Sequence, residues 1–258
     1  MVQFFLTVFS LGFSGIVAQI VLLKELIVLF SGNELAIGLV IGIWILGEAF
    51  GALSLRFFKS ESLNLETFFT CTLIFFLLFP FGIYISGEGR AILSVPQGVT
   101  PNFYQMWLIS TISIFPASFF HGFLFNLSSF VSTLFFRKTK SPLAYVYFCE
   151  MAGTVFGGVL VTYTLLPHLN PYEIANLAAL FSILSLVFLF SLEKKRRKTF
   201  RLSILFFLLF AIPFSFGAGK YLRDWALWRM WGQREIILSE NSIYQNITVI
   251  KSENEYTI

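Results

Sequence analysis

About seven runs of roughly twenty apolar residues follow one another along this chain, separated by short polar turns. They lie near residues 4–30, 35–58, 65–86, 105–136, 147–167, 172–192 and 202–218. A helix of twenty residues is about 30 Å long, which matches the hydrocarbon thickness of a bilayer. In lipid, only helices and closed barrels satisfy their own backbone hydrogen bonds. The totals agree: 57% of the 258 residues are hydrophobic and 12% are charged, and the mean hydropathy is +0.79. Soluble domains carry about twice that charge. A water-soluble globule is therefore excluded. The expected fold is an all-α polytopic membrane protein of about seven hydrophobic helices, with a short, incomplete β-rich segment at the C-terminal end.

The run from Tyr147 to Pro167 holds one acid, Glu150. Glu150, Gly153, Thr154 and Gly157 follow at helical steps of three and four, so they share one face with little side-chain bulk. A neighbouring helix can approach that face closely. A carboxyl group there turns toward protein or a water-filled cavity, because lipid exposure costs several kcal/mol. Two readings follow: helix packing with a local bond to Glu150, or a cation or polyamine contact inside a bundle. Glu48, Gly51 and Ala52 repeat the acid-plus-small-face pattern in the second run. In the first run Glu25 stands beside Lys24. Adjacent residues point about 100° apart and make a poor intrahelical pair, which leaves an interfacial helix end with a snorkelling lysine, or a charge network. The substrate-binding candidates are thus Glu25, Glu48 and Glu150.

Other features carry less chemistry. Cys71 and Cys149 fall inside apolar runs and read as small buried hydrophobes. His121 and His168 are far apart, and neither reads as a metal ligand. His121 follows Pro116, which is expected to bend its helix, and it reads foremost as a packing residue. Loops after the second, fourth and sixth runs are basic, the last being Glu193 to Lys198, which reads as an anchor at the anionic leaflet rather than a nucleic-acid site. They place the N-terminus in the cytoplasm. Seven spans then put the C-terminus outside, yet Lys220, Arg223, Arg229 and Arg234 argue for inside, so one segment is expected to be re-entrant or interfacial.

Three domains follow. Residues 1–220 form the transmembrane part. Residues 221–234 form an interfacial linker, with Trp225, Trp228 and Trp231 interleaved with arginines. Residues 235–258 read as short strands between polar turns, too few to bury a core.

Ser242 and the run Tyr244-Gln245-Asn246-Ile247-Thr248-Val249 resemble the opening strand of spermidine synthases, the aminopropyltransferases. The segments at 12–26, 32–38 and 145–158 are similar to the helices of membrane-fused members of that family, and Trp231-Gly232-Gln233 resembles their domain junction. The resemblance implies an integral membrane portion of a protein of polyamine biosynthesis, joined to a truncated synthase domain. It implies decarboxylated S-adenosylmethionine as co-substrate of an intact relative, with Gln245 at its site, and no cofactor in this chain. The glycine-rich, acid-bearing nucleotide site of the family has no match here, so no catalytic residue is assigned and the chain is expected to be inactive alone. Implied partners are the lipid bilayer, a separate or missing synthase domain and a polyamine, with no nucleic acid; the implied location is the cell (inner or plasma) membrane. The alternative is a transporter-like module for polyamines or other organic cations.

Overall fold

The computed structural model describes residues 2–96, 99–135, 141–191, 196–231, 235–241, 246–252 and 255–257. Seven of its helices are long and apolar enough to cross a membrane. They are α1 (Val2–Leu29), α2 (Leu35–Ser54, extended by a 3-10 turn over Leu55–Phe57) and α3 (Leu65–Gly87). After the short α4 (Gly89–Ile92) come α5 (Phe103–Phe135) and α6 (Pro142–Leu160). A π turn over Val161–Leu165 carries α6 into α7 (Leu166–His168), and α8 (Pro171–Ser191) and α9 (Arg197–Ser215) follow. The widened π turn sits just ahead of Pro167, whose ring would meet the carbonyl four residues back in a regular helix. Helix α5 runs on through Pro116 as one element.

Three of the helix starts are set by asparagines. Asn64 Oδ1 accepts from the backbone N–H groups of Glu66 and Thr67 at 2.9 and 3.1 Å, capping α3. Ahead of α8, Asn170 Oδ1 accepts from Glu173 N at 3.0 Å and Glu173 Oε2 accepts from Asn170 N at 2.9 Å, a reciprocal capping box. Asn102 and Gln105 do the same at the start of α5, at 2.9 Å in both directions. Between α1 and α2 the chain reverses through Ser31 and Gly32, both left-handed, with φ of 56° and 77°. That turn is too tight for anything but antiparallel neighbours.

Two helix pairs pack most closely, α1 with α6 and α2 with α5. In each, glycines bring backbone against backbone. Helix α3 leans on α5 and α8 leans on α1. The α1–α8 contact is polar: Ser10 Oγ lies 2.9 Å from Ser185 Oγ, and Ser14 Oγ lies 2.7 Å from Ser182 Oγ. Helix α9 rides on the rim, with only Thr199 and Ser203 buried. It is tied on by an Arg196–Glu66 ion pair at 3.2 Å and an edge contact of Phe206 with Phe69.

Past Gly217, which turns at a φ of +80°, the chain forms α10 (Ala218–Trp231). The segment read as a linker is thus largely helical, and Trp225 stacks on Tyr84 of α3 at 5.8 Å. Strands β1 (Glu235–Asn241), β2 (Asn246–Ser252) and β3 (Glu255–Thr257) then form one antiparallel sheet in that order.

Candidate functional site

The spacing of small residues decides where polar groups meet in this bundle. A Cβ added at Gly122 of α5 would collide with the backbone of Glu48, and one at Gly51 of α2 would collide with the Phe119 carbonyl. Helices α2 and α5 therefore cross at Glu48 and Gly122. This brings His121, next to Gly122, against the Glu48 side chain: Nδ1 lies 2.7 Å from Oε1. On its other edge Nε2 lies 3.3 Å from the Leu11 carbonyl of α1. Room for the ring comes from Gly15, where any Cβ would run into the imidazole. Trp44 of α2 and Phe75 of α3 flank it, with centroids 6.0 and 5.9 Å away.

The bonds fix the proton inventory. A backbone carbonyl only accepts, so Nε2 carries a hydrogen. One further proton lies between Nδ1 and Glu48 Oε1, and the pair is neutral overall wherever that proton sits. This is the form in which an acid and an imidazole can share a low-dielectric interior. His121 is 5% exposed, whereas the Glu48 side chain is 35% exposed. The carboxylate thus forms the accessible edge of the pair.

Glu150 of α6 belongs to the same centre. Gly12 of α1 admits the Glu150 backbone, as Gly122 admits that of Glu48. The Thr154 hydroxyl lies 3.3 Å from both the Gly12 carbonyl and Glu150 Oε1. Glu150 is half-buried and stands within coulombic reach of both His121 and Glu48. The arrangement is one imidazole bonded to one acid, with a second acid on another helix within electrostatic reach. It can take up or release a proton, and its half-exposed acids can face an ammonium group.

Glu25 is placed elsewhere, near the opposite end of α1. It interacts electrostatically with Lys24 and with Arg223 of α10. Tyr172, at the start of α8, is buried within electrostatic reach of Glu25 and Glu88. Lys24 is buried rather than snorkelling, which favours the charge network over the interfacial reading. Gln245 lies outside the described residues. His121 is the member that reading the sequence as packing alone passes over. The available signal was an ionisable residue inside an apolar span, beside a glycine and one turn beyond a proline.

No family model matches this sequence, and no solved structure matches it. Among curated proteins it is similar to polyamine aminopropyltransferase 2 of Aquifex aeolicus, with 26% identity over 257 residues. That alignment takes in 98% of this chain and 48% of the relative, so the chain spans about half the relative's length.

Proposed function

We propose that this chain is the membrane-embedded portion of a polyamine aminopropyltransferase-like protein, residing in the cell (inner or plasma) membrane. The observation that carries the reading is the alignment of nearly the whole chain with about half of an aminopropyltransferase. The seven long apolar helices support the bilayer as its solvent. The antiparallel strands at 235–257 are consistent with the opening of a synthase domain. In this reading residues 1–220 are the membrane part and α10 joins it to the synthase part. Helix α10 is held by the Tyr84–Trp225 stack and by electrostatic attraction between Arg223 and Glu25.

The reaction proposed for the complete protein is attack of an amine nitrogen on the carbon beside a sulfonium. The donor, decarboxylated S-adenosylmethionine, would be held by the part of the relative that this chain does not span. What this chain contributes is position: it fixes the synthase part at the membrane face. The test is to join this chain to the remaining half of the Aquifex relative and measure aminopropyl transfer from the sulfonium donor in separated fractions. Activity that sediments with the membrane supports the reading. Absent transfer, or transfer that stays soluble, overturns it.

A second reading has its own observation. The half-exposed Glu48 and Glu150 beside His121 suit an organic cation, and anchoring alone does not call for them. As a transporter-like module the chain would move polyamines, with these acids as partners of the ammonium groups. Uptake of labelled putrescine or spermidine into liposomes tests this. The reading is lost if Glu48→Gln and Glu150→Gln leave uptake unchanged.

A further inference from the structure

Two short patterns occur twice in this chain. Phe-x-x-Gly-Phe stands at 9–13 in α1 and again at 119–123 in α5. Glu-x-x-Gly stands at 48–51 in α2 and again at 150–153 in α6. The contacts between them correspond one for one. Gly12 abuts the Glu150 backbone, and Gly122 abuts the Glu48 backbone. Gly153 abuts the Phe9 carbonyl and Phe13 nitrogen, and Gly51 abuts the Phe119 carbonyl and Phe123 nitrogen. The third helices match as well. Asn64 caps α3 and Asn170 caps α8, and α3 packs on α5 as α8 packs on α1. Helices α1, α2 and α3 thus correspond in order to α5, α6 and α8.

The directions are settled by the same contacts. Residues 5, 9 and 16 of α1 meet 145, 153 and 157 of α6, so that pair is parallel. Residues 47, 51 and 52 of α2 meet 118, 119 and 126 of α5, so that pair is parallel too. Since α1 and α2 are antiparallel across their tight turn, α5 runs opposite to α1. A three-helix repeat with this relation has inverted topology, as in many transporter folds, whose sites lie where the repeats meet.

Each closely packed body is mixed. One consists of α1, α6 and α8, the other of α5, α2 and α3. The seam between them is thinner. It contains the contact of Leu11 with His121, which occupy corresponding positions, and the contact of Leu22 with Gly82. It also contains a small, mostly apolar cavity of about 10 Å³ between α1, α3 and α8, lined by Leu11, Phe68, Phe75 and Phe76 together with serines and threonines.

We propose that α1–α3 and α5, α6 and α8 are inverted repeats, and that the bodies α1/α6/α8 and α2/α3/α5 rock against each other about the Leu11–His121 contact. The His121–Glu48 bond lies within one body and survives the motion. The Nε2 hydrogen bond crosses the seam and changes partner, from the Leu11 carbonyl to the Glu150 carboxylate. Helix α1 offers Nε2 the Leu11 carbonyl, α3 presents Phe75, Glu48 of α2 bonds Nδ1, and Glu150 of α6, whose backbone abuts Gly12 beside Leu11, acts on the ring electrostatically. Rocking opens the seam on one membrane face while closing it on the other. This holds whether the chain anchors an enzyme or moves a cation, and its test is independent of either.

The test uses the full chain in lipid nanodiscs, with Cys71→Ala and Cys149→Ser, and pairs of spin labels read by pulsed distance measurement. Phe57 with Leu143 spans the seam on one face, and Tyr104 with Tyr163 spans it on the other. Phe57 with Thr133 lies within one body; all five positions are exposed. The expected result is two distances for each seam pair, in the same population ratio, and one distance for the pair within a body. Glu150→Gln should then shift that ratio toward the present state by about threefold or more. One distance across the seam on both faces overturns the rocking, as does equal broadening within a body. An unchanged ratio in Glu150→Gln overturns the partner exchange.

Discussion

The α1/α6 and α2/α5 crossings use the same device to different ends. In both, two glycines let backbones touch, and a glutamate sits at the point of closest approach. At the α2/α5 crossing the residue before the glycine is His121, which bonds that glutamate. At the α1/α6 crossing it is Leu11, and the glutamate turns to Thr154 instead. The backbone geometry is therefore set by the glycines and the chemistry by their neighbours. A crossing can be kept while its polar content is changed, and the bundle then has one loaded and one unloaded copy of the same joint.

The harshest way to break the likeness is to fill a crossing. Gly122→Leu and Gly12→Leu should each destabilise the bundle by about 3 kcal/mol or more, since only backbone stands in the way of the new side chain. Gly38→Leu and Gly42→Leu, which face open space, should change little. Denaturation in mixed micelles followed by circular dichroism compares them. If all four behave alike, the close crossings are not what hold the fold.

Removing the load comes next. His121→Leu should cost about 1–2 kcal/mol, because Glu48 loses its partner while staying partly exposed. Adding Glu48→Leu should recover most of that loss, since removing both members leaves nothing unpaired. A double-mutant cycle in the same assay reads the coupling. A coupling near zero would mean that the 2.7 Å contact contributes nothing to stability.

Smaller effects test the third helices. Asn64→Ala and Asn170→Ala should each cost about 1 kcal/mol, and by similar amounts, as both cap the third helix of their body. Ser182→Ala should cost about 0.6 kcal/mol through its interhelical bond to Ser14. It should loosen α8 and leave α3 untouched, which hydrogen exchange resolved by helix would show.

Much of the site is legible in the sequence itself. Glu48 and Glu150 stood out because an acid followed three residues later by glycine presents carboxyl and bare backbone on one face. The repetition of that pattern was also visible. What the pattern lacked was the partner, because a lone histidine in an apolar helix bonds to any acceptor within reach. Glu25 stands out only as an acid inside an apolar run, and it interacts with Lys24 and Arg223 at another level of the bundle. Its place depends on where α10 folds back, which no local spacing encodes.

The sequence alone determined that about seven segments are helices long and apolar enough to cross a membrane. In hydrocarbon each apolar run must close its own backbone hydrogen bonds, so the choice is made within the run. Tertiary structure alone decided that His121 meets Glu48 across 73 residues and Leu11 across 110. Those meetings depend on helix rotation and crossing point, which are fixed only when glycines of one helix find the backbone of another.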